Sequence, residues 1–372
     1  MKPQIAIVKC PDYNPELVQV KVKQALDSLG GMANFIRPES RVLVKPNLLM
    51  AKEPEAAVTT HPEVLRAVIK LLKTLNCRIF VGDGPSVWGK QIENVDEVYA
   101  RTGIKQVCLE EQVELVKFDK RRWRGKFPLT TWLDSCDYFI NLPKFKTHEF
   151  TTLTAAIKNL FGLVSGTYKT ELHKKFFSPQ SFSEILVDIY EEAKPALTVV
   201  DAIDVMEGDG PGTAGKPRHC GLLLAGVDCL AIDSVLAKIM GLEPMDILTN
   251  KIAAQRKLGA SDIREIEILG ENLSGLNIQP FVLPATSIRS KVPQPIINFA
   301  KKFIRYLPKA YQENCIRCGA CIKACPQKII NLKKGMIVIR YQGCISCFCC
   351  QEVCPQSAIK VKKSLFAKLI GL

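Results

Sequence analysis

Nine of the fifteen cysteines fall between residues 315 and 354, and eight of them repeat one spacing twice. Cys315-x2-Cys318-x2-Cys321-x3-Cys325-Pro326 is followed by Cys344-x2-Cys347-x2-Cys350-x3-Cys354-Pro355. Three thiolates this close can hold three corners of a cubane iron–sulfur cluster, while the fourth, just ahead of proline, reaches across to the other cluster. The pattern therefore predicts two 4Fe-4S clusters with crossed ligands: Cys315, Cys318, Cys321 and Cys354 on one, Cys344, Cys347, Cys350 and Cys325 on the other. Structural zinc sites use paired two-cysteine knuckles instead. Cys349 is a ninth thiol inside the second run, and using it in place of Cys350 would break the spacing on both sides, so it is expected to be a bystander.

The other six cysteines are scattered over residues 1–290. An odd total in a long chain argues against a disulfide framework. Charge divides the chain at the same place, because residues 291–372 hold fifteen Lys and Arg against Glu313 and Glu352, a balance of +13 out of a total of +14. Two oxidised clusters with their thiolates would bring in about −4, leaving this end near about +9. An acidic partner can dock on such a surface, and a basic one is repelled. The predicted division is an α/β domain over 1–290, a basic linker over 291–312, a two-cluster ferredoxin domain over 313–363 and a tail over 364–372. The linker carries Ile296, Phe299, Phe303, Ile304 and Leu307 beside Lys301, Lys302 and Arg305. Such a stripe more often packs one domain on another than lies on an anionic membrane. Nucleic-acid binding would need a basic patch with aromatic or base-reading elements, and the clusters explain this module better, so nucleic acid is not an expected partner. Apolar runs fall short of the roughly 18 residues of a membrane span, and the first residues do not resemble a signal peptide, which points to the cytoplasm.

Residues 1–290 alternate strand-like and helix-like segments, the grammar of an α/β fold with a mainly parallel sheet and flanking helices. The cysteine region adds a small C-terminal α+β ferredoxin-like domain. Strands are predicted at 4–10, 41–49, 77–85, 113–118, 137–145, 197–203 and 220–226, and helices at 15–29, 62–76, 93–102, 152–163, 181–193, 229–240 and 245–257. Ligands of such sheets gather beyond the C-terminal strand ends, where Lys45-Pro46-Asn47, Gly82-Asp83-Gly84, Pro143-Lys144 and the 204–212 loop are expected.

The segments VLVKPNLL (42–49), TTHPEV (59–64), VGDGP (81–85), INLPKFKTHEFTTLTAAIKNLFG (140–162), the Lys169 and His173 pair, MEGDGPGTAGKP (206–217) and AGVDCLAID (225–233) resemble the family called domain of unknown function 362. Members often carry a C-terminal two-cluster ferredoxin module. The resemblance implies an intracellular iron–sulfur protein of redox type, without naming a substrate.

Physically, Lys144, Lys146, His148, Lys158 and Asn159 crowd into sixteen positions, and Lys169 and His173 follow. A cation in an apolar setting is costly unless it meets an anion. Together with Lys45, Asn47 and Asp83 these residues predict a pocket for a carboxylate or phosphate group. His148 or His173 is the expected proton donor, with Lys158 beside them. Glu207 and Asp209 lie in a glycine-rich loop read as a ligand-contacting turn; it lacks the spacing of a calcium loop. No phosphate loop or dinucleotide fingerprint is present, so ATP and NAD(P)H lack support and flavin stays open. The favoured expectation is an oxidoreductase whose clusters relay electrons from an acidic ferredoxin or flavodoxin-like donor to an anionic small molecule. The alternatives are a ferredoxin-like carrier or adaptor that docks on a partner redox enzyme and, less favoured, an assembly factor that hands on a cluster or metal.

Overall fold

The computed structural model describes residues 2–85, 94–166, 168–176, 178–286 and 306–363. The amphipathic stripe of the linker, apart from Leu307, and the tail fall outside the described residues.

Short apolar runs between amphipathic helices leave the central strands with two buried faces, and most strands join a single sheet. In chain order the strands of the large domain are β1 (Gln4–Lys9), β2 (Arg41–Pro46), β3 (Arg78–Val81), β4 (Glu114–Leu115), β5 (Arg121–Arg124), β6 (Phe127–Thr130), β7 (Tyr138–Leu142), β8 (Lys144–His148), β9 (Thr152–Thr154), β10 (Leu197–Gly208), β11 (Gly215–Gly226) and β12 (Glu267–Gly270). The sheet runs β12-β1-β11-β10-β7-β2-β3-β4, with β8 added on β10 and β9 on β8. Most neighbours are parallel; the antiparallel pairs are β1 with β11, β10 with β11, and β8 with β9. β5 and β6 form a separate hairpin.

Alternation along the strands feeds two cores. Val42 and Val44 join one with helices Pro15–Asp27 and Pro62–Lys73, while Leu43 joins the other with helices Pro179–Ala193 and Cys229–Ile239. His61 starts the helix at Pro62, its Nδ1 accepting from the amide of Glu63 at 3.2 Å. This two-sided covering is what a parallel sheet requires.

Two departures from expectation shape the site, apart from the break at Pro143 that splits the expected strand 137–145 into β7 and β8. The stretch 152–163 is not one helix. Thr152 and Thr154 pair with His148 and Lys146 across a hairpin, and only then do Ala156–Asn159 and Leu160–Leu163 turn helically. Asp233 supports that late start by accepting from the amides of Ala156 (2.7 Å) and Ile157 (3.1 Å). The second departure is the long hairpin of β10 and β11, which extends the expected strands through Gly208 and back from Gly215.

The cysteine module holds β13 (Tyr306–Ala310) paired with β16 (Ile359–Lys363), and β14 (Ile330–Lys333) paired with β15 (Met336–Ile339). β13 lies in the stretch expected as linker, so the module starts by Tyr306. It docks on the large domain at the β10–β11 turn. Thr213 Oγ1 donates to the carbonyl of Cys354 at 2.6 Å, Gln351 Nε2 to that of Asp209 at 3.3 Å, and Lys52 Nζ to that of Pro355 at 3.0 Å. Gly212 faces the carbonyl of Glu352 so closely that a Cβ would stand 2.6 Å from it.

Candidate functional site

The motif thiols lie close to one another inside the module. Cys315, Cys318, Cys321 and Cys354 line one cavity inside the module. Burial pushes the Cys321 thiol up to about 12, and the charges of Cys354, Cys318 and Cys315 add to the rise. Burial likewise raises Cys350, whose charged neighbours are Cys347, Cys344, Cys325 and Cys321. Thiolates crowded side by side repel one another, and a cationic iron core supplies the missing positive charge. Among the described residues no three His, Cys, Asp or Glu converge as ligands of one ion; the first set instead surrounds a cavity. Cys349 is fully buried against Ala324 and Val353, between the short helices Ala320–Ala324 and Cys349–Glu352.

The lysine-rich segments meet beyond the ends of β2 and β3, under the module. A cavity of about 50 Å³ is lined by Asn47, Asp83, Lys146, Lys158, Asn159, Lys169 and His173, together with Gly84, Thr154, Phe161, Pro211 and Glu352. Lys45 stands behind this wall, fully buried, with its ammonium 2.7 Å from Asp83 Oδ1 and 3.2 Å from Asn159 Oδ1. Asp83 is held in turn by the amide of Leu48 at 2.8 Å. Gly162 is required here, because a Cβ would fall on the Lys45–Asp83 pair. Lys146 donates to the carbonyl of Val58 at 2.6 Å, and Lys169 to the carbonyl of Gly84.

Burial depresses these ammonium groups. Lys146 falls to about 7, with Lys158 repelling it further, and Lys169 falls to about 8 although Asp83 opposes the shift. Lys158 is lowered by burial too, against the charges of Glu352 and Cys349. An anion in the cavity would restore all three. Two polar atoms already lack partners: Asn47 Oδ1 and Thr154 Oγ1 are buried with no hydrogen bond among the described residues. Buried polar groups are nearly always satisfied, so the cavity is built for a polar guest. Its volume suits one carboxylate or phosphate headgroup and is far below the roughly 300–1,000 Å³ of drug-sized or cofactor sites.

The other expected residues stand elsewhere. Lys144 is neutralised from inside: Asp201, beside it in register on β10, accepts from its ammonium at 2.9 Å, and Tyr13 Oη lies at 2.8 Å. It therefore does not line the anion cavity. Glu207 is taken by Arg218 at 2.9 Å and by the amide of Val282 at 3.0 Å. Asp209 accepts from the amide of Ala285 at 3.0 Å and borders a smaller cavity with His148, Glu149, Cys347, Phe348 and Gln351. Glu149, pushed up to about 8 by burial and by Asp209, is a buried acid that sequence reasoning missed, and the half-buried Glu352 borders both cavities.

The histidines do not suit the expected acid role. Burial and then Lys158 hold His148 well below its ordinary value, and burial, Lys158 and Lys169 take His173 to about 3. Neither carries a cationic proton near neutrality. His148 Nδ1 accepts from the amide of Phe150 at 2.9 Å, which fixes the proton on Nε2, and Nε2 has no partner among the described residues.

Comparison with known proteins agrees with this architecture. The profile of a 4Fe-4S dicluster domain matches residues 308–355. A thylakoid-associated protein of Synechocystis sp. is 33% identical over 266 residues, covering 70% of this chain and 80% of the relative. No solved structure matches the chain. No helix among the described residues is long and apolar enough to cross a membrane. The profile described as domain of unknown function (DUF362) matches residues 42–238, more than half of the chain, and the protein belongs to that family, with an iron–sulfur dicluster domain at its C-terminal end.

Proposed function

We propose that this protein is an iron–sulfur oxidoreductase that reduces a small anionic substrate, or an anionic end of a larger one, held in the lysine cavity beneath the cysteine module. One observation carries the reading. Glu352, between Cys350 and Cys354 of the second run, lines the same cavity as Lys146, Lys158 and Lys169. The short helix that carries Cys350 thus supplies part of the cavity wall. Two 4Fe-4S clusters, on the crossed cysteine sets, would supply one-electron transfer.

In this reading Lys158 and Lys169 bind the anion, and Asn47 and Asn159 orient it. Lys45 stays paired with Asp83 and shapes the wall. Lys146 takes over the role first expected of a histidine: near 7 when the cavity holds no anion, its pKa rises beside one, so it arrives protonated and can donate. A cytoplasmic location and an acidic electron donor belong to the same proposal. The relative's thylakoid association suggests a place of work close to a membrane.

Native mass spectrometry of anaerobically purified protein tests this. A small anion should be released on denaturation of the wild type and be missing from Lys158→Ala/Lys169→Ala at equal iron content. The same molecule in both, or none in either, would remove the reading. In that case the carrier or adaptor alternative gains, and a stable complex with another redox enzyme is its mark.

A further inference from the structure

The cysteine module turns a different face to solvent. Among the described residues eleven large apolar side chains stand exposed, and five of them, Ile316, Leu332, Met336, Val338 and Tyr341, lie between residues 316 and 341. The pairing of β14 with β15 sends Ile330 and Ile337 inward and sets Met336 beside Lys333 on the outer face, with Val338 across from Asn331. Gln312 straps the preceding loop to this hairpin, donating to the carbonyl of Ile337 at 2.9 Å and accepting from its amide at 3.0 Å. The Arg317 guanidinium lies 3.7 Å from where a Cβ on Gly335 would stand, so the Ile316–Cys318 loop rests against the hairpin tip.

Chemistry concentrates at that spot. Cys318 is the one exposed thiol of the fifteen. Arg317 is next to it in sequence, Lys333 and Lys334 lie at the hairpin tip that Arg317 touches, and all three are exposed, against one exposed acid of the module, Glu313. An apolar centre inside a charged rim is the anatomy of a protein interface. Small redox contacts fall at the low end of interface size, below about 1,200 Å².

We propose that this face, centred on Ile316, Met336 and Val338 and rimmed by Arg317, Lys333 and Lys334, docks a small acidic one-electron carrier protein. The carrier loses one electron to the cluster behind Cys318, which gains one; no bond or proton moves. The inference rests on the reading that the thiols hold clusters, and it assigns the point of entry. Anionic lipid would also attract these cations. A flat bilayer, however, would cover Cys318 and close the route that its exposure opens.

The test is stopped-flow reduction of the full chain, clusters in place, by a reduced plant-type 2Fe-2S ferredoxin, an acidic probe. The rate should fall with salt, because screening shortens the reach of rim charges. Lys333→Glu/Lys334→Glu and, separately, Arg317→Glu should each slow it by at least about tenfold at low salt. Lys251→Glu, the same charge change as Arg317→Glu on an exposed residue of the large domain, should leave it at the wild-type rate. Reduced methyl viologen, which needs no docking face, should reduce every variant at least as fast as wild type. That arm separates this inference from the wider one, since protein that methyl viologen cannot reduce contradicts the cluster assignment itself. Wild-type rates in both rim variants, or equal slowing by Lys251→Glu, would overturn the proposal. Ferredoxin displaced by phosphatidylserine vesicles that bind wild type and not the rim variants would overturn it too, and assign the face to a membrane.

Discussion

Lys45 and Asp83 show how single residues set the terms of the cavity. Both are buried, and each loses its partner if the other is changed. Removing one member of a buried pair typically costs about 3–5 kcal/mol, because the remaining charge stays unpaired. Asp83→Asn is therefore expected to lower stability by about that much in urea unfolding, and Lys45→Met/Asp83→Leu to recover part of the loss. Lys146 and Lys169 respond to pH instead. Their folded values, about 7 and about 8, lie below the ordinary lysine value, so the native protein sheds these protons as pH rises through 7 and 8 while the unfolded chain still keeps them. A bound anion reverses the shift by favouring the charged form. Affinity for sulfate, whose charge is constant over this range, should be highest below pH 7 and fall as pH rises to 9, measured by calorimetry. A flat profile would mean that the lysines do not meet the anion. At this scale the sequence exposes the crowd of cations in 144–169 but not their partners. Nothing local marks Lys144 for Asp201, 57 positions away, or Lys146 for the carbonyl of Val58.

The elements that bring these side chains together are the two hairpins. β8 and β9 turn Lys146 and Thr154 to the cavity, and the β10–β11 turn carries Gly210, Pro211 and Gly212 up to the module. Both hairpins were hard to read for the same reason: TTLTAAIKNLFG has apolar residues at spacings compatible with a helix, and MEGDGPGTAGKP looks like loop because its glycines dominate. Long-range pairing decided both. The strands of the parallel part were legible because each is a continuous apolar run between turn residues. If the β10–β11 turn locks the module in place, Gly212→Ala should disturb it, since the new Cβ would meet the Glu352 carbonyl. Hydrogen exchange should rise in 209–214 and 351–358 while iron content stays at the wild-type level. Unchanged exchange would show that the turn yields without releasing the module.

Over the whole molecule, the large domain's two cores contain none of the eight motif cysteines. Removing iron with a chelator is accordingly expected to leave its main thermal transition in place and to raise exchange around residues 47–49 and 209–214, where the module covers it. The doubled cysteine motif and the alternating segments make this two-part architecture visible in the sequence. The docking of one part on the other is not, because it rests on backbone carbonyls of Asp209, Cys354 and Pro355 that no motif records. That docking is also what turns a lysine cavity and a cluster module into one site. Lys158 lines the cavity beside Glu352, which lies on the short helix that carries Cys350, so its charge should be felt by one cluster more than by the other. The most direct measurement is an EPR-monitored redox titration of wild type and Lys158→Met at pH 6. Losing a nearby positive charge makes reduction harder, and for a one-electron couple about 59 mV corresponds to a tenfold change in equilibrium. One potential is expected to fall by tens of millivolts while the other holds still. Two unmoved potentials, or two that move together, would contradict the placement of the cavity beside one cluster.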